Sequence, residues 1–167
     1  MLNLVKYCGI GFKSLFLLLM KNYSWILLVF CCLVAVSSCK KDNDGVKEIE
    51  KFIKANNVDA TKDGSGLYYQ VINPGTGNVN ITPNSRVTIK YEGKLLNGKV
   101  FDNGGGVERT FILGELIRGW QIGLPKIQKG GEIRLLIPPS LGYGDRSTGE
   151  IPANSPLDFN IKLINVQ

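Results

Sequence analysis

Histidine is absent from all 167 residues. That one absence removes imidazole-based triads, His-ligated metals and the commonest general base. Cysteine occurs four times, at Cys8, Cys31, Cys32 and Cys39, and never beyond. From Lys40 onward the fold therefore needs no disulfide, and thiolate nucleophiles and thiolate metal ligands are excluded. No acidic residue precedes Cys39, whereas Lys6, Lys13 and Lys21 do. Of the net +6, the part after Cys39 carries seventeen basic against fourteen acidic residues, a mild excess of +3. No basic stripe with interleaved aromatics occurs, which argues against a nucleic-acid partner. Internal repeats are absent as well.

The longest charge-free apolar run is Trp25 to Val36, twelve residues. It is short for a membrane span and suits the h-region of a signal peptide, with Lys21 as the positive flank. Val36-Ser37-Ser38-Cys39 resembles a bacterial lipobox. That resemblance implies that Cys39 is lipidated, palmitate included, and becomes the mature N-terminus in the cell envelope. The competing reading is a signal-anchor helix with an incidental cysteine. Met20 to Cys39 is a complete signal of this kind by itself, so translation starting at Met1 and at Met20 both fit.

Residues 1–39 are thus read as a signal segment, and residues 40–65 as a polar tether containing a short amphipathic helix. Val46 to Asn56 places Val46, Ile49, Phe52 and Ile53 on one face, with Glu50 set to pair with Lys54. Asn43 or Asp44 is the expected cap. A helix this short is marginal in water, so it docks on something or frays. Lys62 to Gly66 reads as loop.

Strand signals dominate residues 66–167, about one ordinary domain of sequence. Leu67 to Val71 alternates and ends at the Asn73-Pro74-Gly75 turn. Val87, Ile89 and Tyr91 face away from Arg86, Thr88, Lys90 and Glu92. Asn97-Gly98 suggests a type I′ hairpin turn. Thr110 to Leu113 and Glu132 to Ile137 are further strands. Leu157, Phe159, Ile161 and Leu163 alternate with Asp158, Asn160 and Lys162. The one helix candidate, Ile117 to Leu124, is weakened by two glycines and limited by Pro125. The expectation is an α+β fold: an antiparallel sheet of about five half-buried strands and one short helix on its apolar face.

Several fragments in order then resemble the FKBP-type peptidyl-prolyl cis–trans isomerase family. They are Val87 to Gly93, Asn97 to Asp102, Phe111 to Gly114, Ile117 to Trp120 with Gly123-Leu124, Gly130 to Glu132, Pro138-Pro139, Leu141 to Gly144, Ile151 to Asn154 and Leu157 to Val166. Any one fragment is common; the ordered set is specific, and it covers Gly66 to Gln167. The leader and helix before it resemble those of small lipid-anchored bacterial members.

The resemblance implies a half-barrel sheet wrapped around the helix, with a pocket between them. It implies Trp120 as the floor, Tyr91, Phe101 and Phe159 as walls, and Asp102 as the charged group beside them. Leu116 and Ile117 would contact substrate. Tyr143 and Ile151 would overhang from the loop between Pro138 and Ser155. Without the family, the same aromatics would be core residues of any small sheet domain, and Asp102 a solvated hairpin acid.

The implied activity is isomerisation of X–Pro bonds in proline-containing polypeptide clients, by a monomer with no metal and no cofactor. A binding module that holds extended chains without turnover is the alternative. Two positions depart from the family pattern: Arg109 stands where an apolar or aromatic pocket residue is common, and Glu150 where an apolar flap residue is common. Both are expected to bring charge to the pocket rim, facing substrate, paired with each other or directed to solvent.

Overall fold

Residues 44–167 are described by the computed structural model. The leader, Cys39 and the expected cap Asn43 lie outside the described residues. Seven antiparallel strands form one sheet: β1 (Thr61–Lys62), β2 (Tyr68–Asn73), β3 (Arg86–Leu95), β4 (Val100–Asp102), β5 (Arg109–Ile112), β6 (Glu132–Ile137) and β7 (Leu157–Val166). Their order is β1-β2-β6-β7-β3-β4, and β5 pairs with the other end of β3. The five expected strands appear within a few residues of their sequence-based bounds. The two extra ones, β1 and β4, are too short for alternation to reveal.

Alternation explains the first core. Val87 and Ile89 on β3, Ile133 and Leu135 on β6, and Leu157, Ile161 and Leu163 on β7 are at most 1% exposed. All point to one sheet face, because successive side chains of a strand take opposite sides. The helix α2 (Arg118–Gly123) covers that face and continues into a 3-10 turn at Leu124–Lys126. Its two glycines are the reason it fits. A Cβ on Gly119 would lie 2.7 Å from Ile137 side-chain atoms, and one on Gly123 would lie 2.6 Å from Leu135. Gly119 and Gly123 are four apart and share a helix face; Ile137 and Leu135 are two apart and share a strand face. What weakens the helix locally lets it lie against β6.

The opposite face is covered too, by the amphipathic helix expected ahead of the domain. Residues 44–56 are helical (α1), and Asp44 lies inside that helix, not at its cap. Ile49 (0% exposed), Tyr68 (5%) and Leu136 (1%) form a second core, with Val46, Phe52 and Ile53 packed around it. Tyr68 and Leu136 are cross-strand partners of β2 and β6, one position off the Leu135 register that faces the first core. Burying Ile49 is worth about 1.5–3 kcal/mol against leaving it exposed, which holds a helix that would fray alone.

Polar contacts lock this second layer. Glu50 accepts from Tyr68 Oη at 2.6 Å and from Lys62 Nζ at 3.3 Å. The expected Lys54 pair is not the one formed, because the sheet brings stronger partners to the helix. Asp158 is 7% exposed and takes a two-pronged bond from Arg134, Nε at 2.9 Å and Nη2 at 2.7 Å. The ring of Phe52 lies 5.6 Å from that guanidinium. On the first-core face, Lys126 of the turn after α2 bonds Asp63 at 2.7 Å and sits 4.5 Å over the ring of Tyr69. The Asp63 carboxyl is held well below the usual carboxylate range, chiefly by Lys126.

Two turns differ from their sequence signatures. Lys62 to Gly66 is no plain loop: Lys62 belongs to β1, and Asp63 closes the hairpin to β2 through Asp63 N–H to Leu67 O at 2.7 Å. At Asn97-Gly98 only Gly98 has a positive φ, +87°. A type I′ turn requires both residues there. Instead Gly98 N–H bonds Leu95 O, a tight turn over Leu96 and Asn97 finished by a left-handed glycine.

Candidate active site

Tyr91, Asp102, Phe111, Leu116, Ile117, Trp120, Tyr143 and Phe159 line one cavity of about 210 Å³. Six separate segments supply them: β3, β4, β5, the turn into α2 together with α2 itself, the loop after β6, and β7. A space this size is below the ~300–1,000 Å³ of sites for drug-sized ligands and suits a single side chain.

The walls hold each other edge to face. Trp120 meets Tyr91 at 5.1 Å between ring centroids and Phe159 at 5.1 Å, with interplanar angles of 76° and 88°. Phe111 stands 6.4 Å from Tyr91 at 63°. Such T-shaped pairs contribute about 0.5–1.5 kcal/mol each beyond burial, so the rings are fixed relative to one another. Trp120 is 4% exposed, and its Nε1–H has no hydrogen-bond partner among the described residues.

Polarity enters at one edge. Tyr91 Oη donates to Asp102 Oδ2 at 2.7 Å, while Asp102 Oδ1 accepts from Gly104 N–H at 2.9 Å. The carboxylate thereby ties β3 to the loop after β4 and orients the phenol. Burial first, and the Asp102 bond second, push the Tyr91 hydroxyl up to about 12. Burial and then Asp102 raise Tyr143 as well. Both are neutral donors at any ordinary pH. Tyr143 makes no side-chain hydrogen bond among the described residues, so its O–H is available to a guest. Nothing here activates a nucleophile; the arrangement can grip an apolar ring and offer a few fixed donors around it.

Of the residues expected at a pocket, Tyr91, Asp102, Leu116, Ile117, Trp120, Tyr143 and Phe159 line the cavity. Phe101 and Ile151 are not among the lining residues. Phe101 packs edge-on against Phe159 at 5.4 Å and 86°. Ile151, 5% exposed, is part of the first core and pairs through a bridge with Thr148. Sequence reasoning missed Phe111 as a lining residue. Its signal was the pairing of Phe111 with Val87, a register invisible in the β5 stretch alone. Arg109 and Glu150 do not pair: Glu150 bonds Lys99 at 3.1 Å, and Arg109 Nε donates to Gly104 O at 3.0 Å.

Residues 77–164, more than half the chain, match the sequence model of the FKBP-type peptidyl-prolyl cis-trans isomerases. An isomerase of this type from Buchnera aphidicola, FkpA, is 42% identical over 132 residues, covering 77% of this chain and 52% of the relative. Its namesake from Escherichia coli is 40% identical over 130 residues, covering 75% and 47%. The chain thus spans about half the length of these relatives. The crystal structure of Escherichia coli FkpA superposes with a TM-score of 0.68 at 31% identity, covering 95% of this chain and 74% of that one. A peptidyl-prolyl isomerase from Pseudomonas syringae superposes with a TM-score of 0.64 at 30% identity, covering 75% and 95%.

Proposed function

The chain belongs to the FKBP-type peptidyl-prolyl cis-trans isomerase family, and from that premise we propose that residues 66–167 rotate X–Pro bonds in polypeptide clients. The observation that carries the reading is the aromatic cavity with Trp120 among its walls and Asp102 at its edge. Amide resonance sets a barrier of about 18–20 kcal/mol, and uncatalysed exchange takes about tens to hundreds of seconds. No bond to a catalyst is needed. The pocket has only to bind the twisted amide better than either planar form.

Tyr91, Phe111, Trp120 and Phe159 grip the proline ring, and Leu116 and Ile117 contact the chain on either side. The twisted amide has lost resonance, so its carbonyl is less polar and tolerates these walls better than the planar form. The neutral Tyr143 hydroxyl donates to a substrate carbonyl. Asp102 acts as a positioning residue by fixing Tyr91. Phe101 and Ile151 support the walls.

We place the protein in the bacterial envelope, monomeric and held by lipid on Cys39, where its clients are proline-containing envelope and secreted proteins. The support is the order of apolar run, small residues, cysteine and polar tether. Replacing Cys39 with Ser abolishes palmitate labelling and signal processing; a variant that still labels points to Cys31 or Cys32.

The activity is tested on a soluble fragment starting at residue 40, by exchange NMR of a proline peptide without added metal or cofactor. Asp102→Ala and Trp120→Leu each lower kcat/KM by about tenfold or more, equivalent to about 1.4 kcal/mol of barrier per factor of ten. Leu replaces Trp here because Ala would leave a large void at a 4% exposed position. A folded wild-type fragment without turnover would favour the holding module.

A further inference from the structure

Arg109 is a cation beside the pocket whose setting the pocket chemistry leaves unexplained. Its register on β5 pairs it with Ile89 of β3, and cross-strand partners project to the same face. Ile89 is fully buried in the first core. Tyr91, two residues along β3, and Phe111, two residues along β5, both line the cavity. Arg109 therefore leaves the sheet on the pocket side, at the end of β5 nearest Asp102.

Its stem lies in the same small space as the Tyr91 ring. A Cβ on Gly104 would stand 3.0 Å from Tyr91 Cε1 and 3.5 Å from Arg109 Cγ; one on Gly105 would stand 3.5 Å from Arg109 Nη2. The Nε–H bond to Gly104 O pins the base of the guanidinium, and neither Nη group has a partner among the described residues. None of the ion pairs among the described residues includes Arg109. Its natural internal partner, Asp102, spends Oδ2 on Tyr91 and Oδ1 on Gly104. Glu150 is taken by Lys99, and Glu108, its chain neighbour, makes no ion pair among the described residues.

A pinned guanidinium presents parallel N–H groups that match the two oxygens of a carboxylate. We propose that Arg109 is a specificity residue that favours clients carrying an acidic side chain next to the proline. The proposal rests on the isomerase reading and names the substrate class for the same pocket. Arg109 stays outside the rotating amide, so it acts on which client enters and not on the rotation itself.

The test uses the full chain in a neutral detergent. Exchange NMR measures kcat/KM, and titration measures Kd, for peptides with Glu, Gln or Lys directly before the proline, and for a second set with those residues directly after it. An exposed charge contact predicts about a two- to fivefold preference for Glu over Lys in one of the sets. Raising salt towards 1 M, where the screening length falls to ~3 Å, removes most of it. Arg109→Gln levels the series, Arg109→Glu inverts it, and Arg109→Lys retains part of it. Glu150→Gln leaves it unchanged, since Glu150 faces Lys99. A merely structural role for Arg109 would lower all peptides alike without changing their ratio. Equal values for Glu and Lys in both sets at low salt, or a preference that survives Arg109→Gln, overturns the proposal. If no peptide is turned over, the isomerase reading fails by itself, and the Kd ratios still decide for or against Arg109.

Discussion

Gly93 makes the pocket wall possible, and adding one methyl there should damage it measurably. The residue lies on β3, opposite Phe159 on β7 and Asp102 on β4. A Cβ at Gly93 would sit 2.4 Å from Phe159 Cε1 and 2.8 Å from two atoms of the Phe101 ring. Carbon atoms prefer about 3.5–4.0 Å, so the rings must retreat by about 1 Å. β3 is clamped between β7 and β4 and cannot give way. Phe159 retreats toward Trp120, whose ring centroid is already at 5.1 Å.

Overpacking of this kind costs about 1–3 kcal/mol, which lowers Tm by roughly 5–10 °C in a domain of this size. The kinetic effect should be larger, because walls displaced by about 1 Å can cost up to ~100-fold in rate. Gly93→Ala is therefore expected to lose about tenfold to a hundredfold in kcat/KM for a proline peptide. Gly64→Ala is the control: a Cβ there meets nothing within 4 Å, so both readouts should stay near wild type. Thermal unfolding by circular dichroism and exchange NMR supply the measurements. A Gly93→Ala protein with wild-type Tm and wild-type kcat/KM would falsify the assignment of Phe159 and Phe101 as the wall and its support.

Tyr91→Phe should flatten the alkaline stability profile. The Tyr91 hydroxyl is raised to about 12 from about 10 in an unfolded chain, so its contribution is fully present below pH ~10 and is lost as pH climbs toward 12. Urea unfolding across that window should fall more steeply for wild type than for the variant, and parallel curves would remove Tyr91 as the cause. Ile49→Ala should cost about 2–4 kcal/mol by emptying the second core, yet leave kcat/KM per folded molecule within about twofold, since α1 covers the face opposite the pocket. A fall in activity out of proportion to unfolding would show that the two faces are coupled.

Elements buried on one side were legible, because alternation in Val87, Ile89 and Tyr91 needs only a single water-facing side. Residues buried on both sides were not. Asp158 reads as a solvent-facing member of β7, yet it is 7% exposed, because Arg134 neutralises it and α1 roofs it. The same blindness applies to Glu50, whose expected partner stood four residues away and whose actual one, Tyr68, is eighteen residues on. Local spacing carries no information about which strand will pass beneath a helix. The site divides in the same way. Trp120, Tyr91 and Asp102 were accessible through the ordered family fragments. Phe111 becomes a lining residue only once β5 is registered against β3.

Under the proposed function, the lack of histidine and of thiols in the folded domain shifts the demands of catalysis onto packing. A group that transfers a proton can tolerate some motion if its pKa is right. A pocket that works by fitting a twisted amide cannot, since its selectivity between twisted and planar forms is a matter of shape. Rigid walls must then come from neighbours on every side, and β7 shows how. Phe159 is held from within the pocket by Trp120 and from the side by Phe101. Asp158, the next residue back, projects through the other sheet face and is clamped by the Arg134 fork under Phe52. One strand position is thus fixed from both faces at once. The Arg134–Asp158 pair beneath α1 fixes the strand's place in the sheet and contributes to stability, while the shape of the pocket rests on the rings that hold Phe159 from within and from the side.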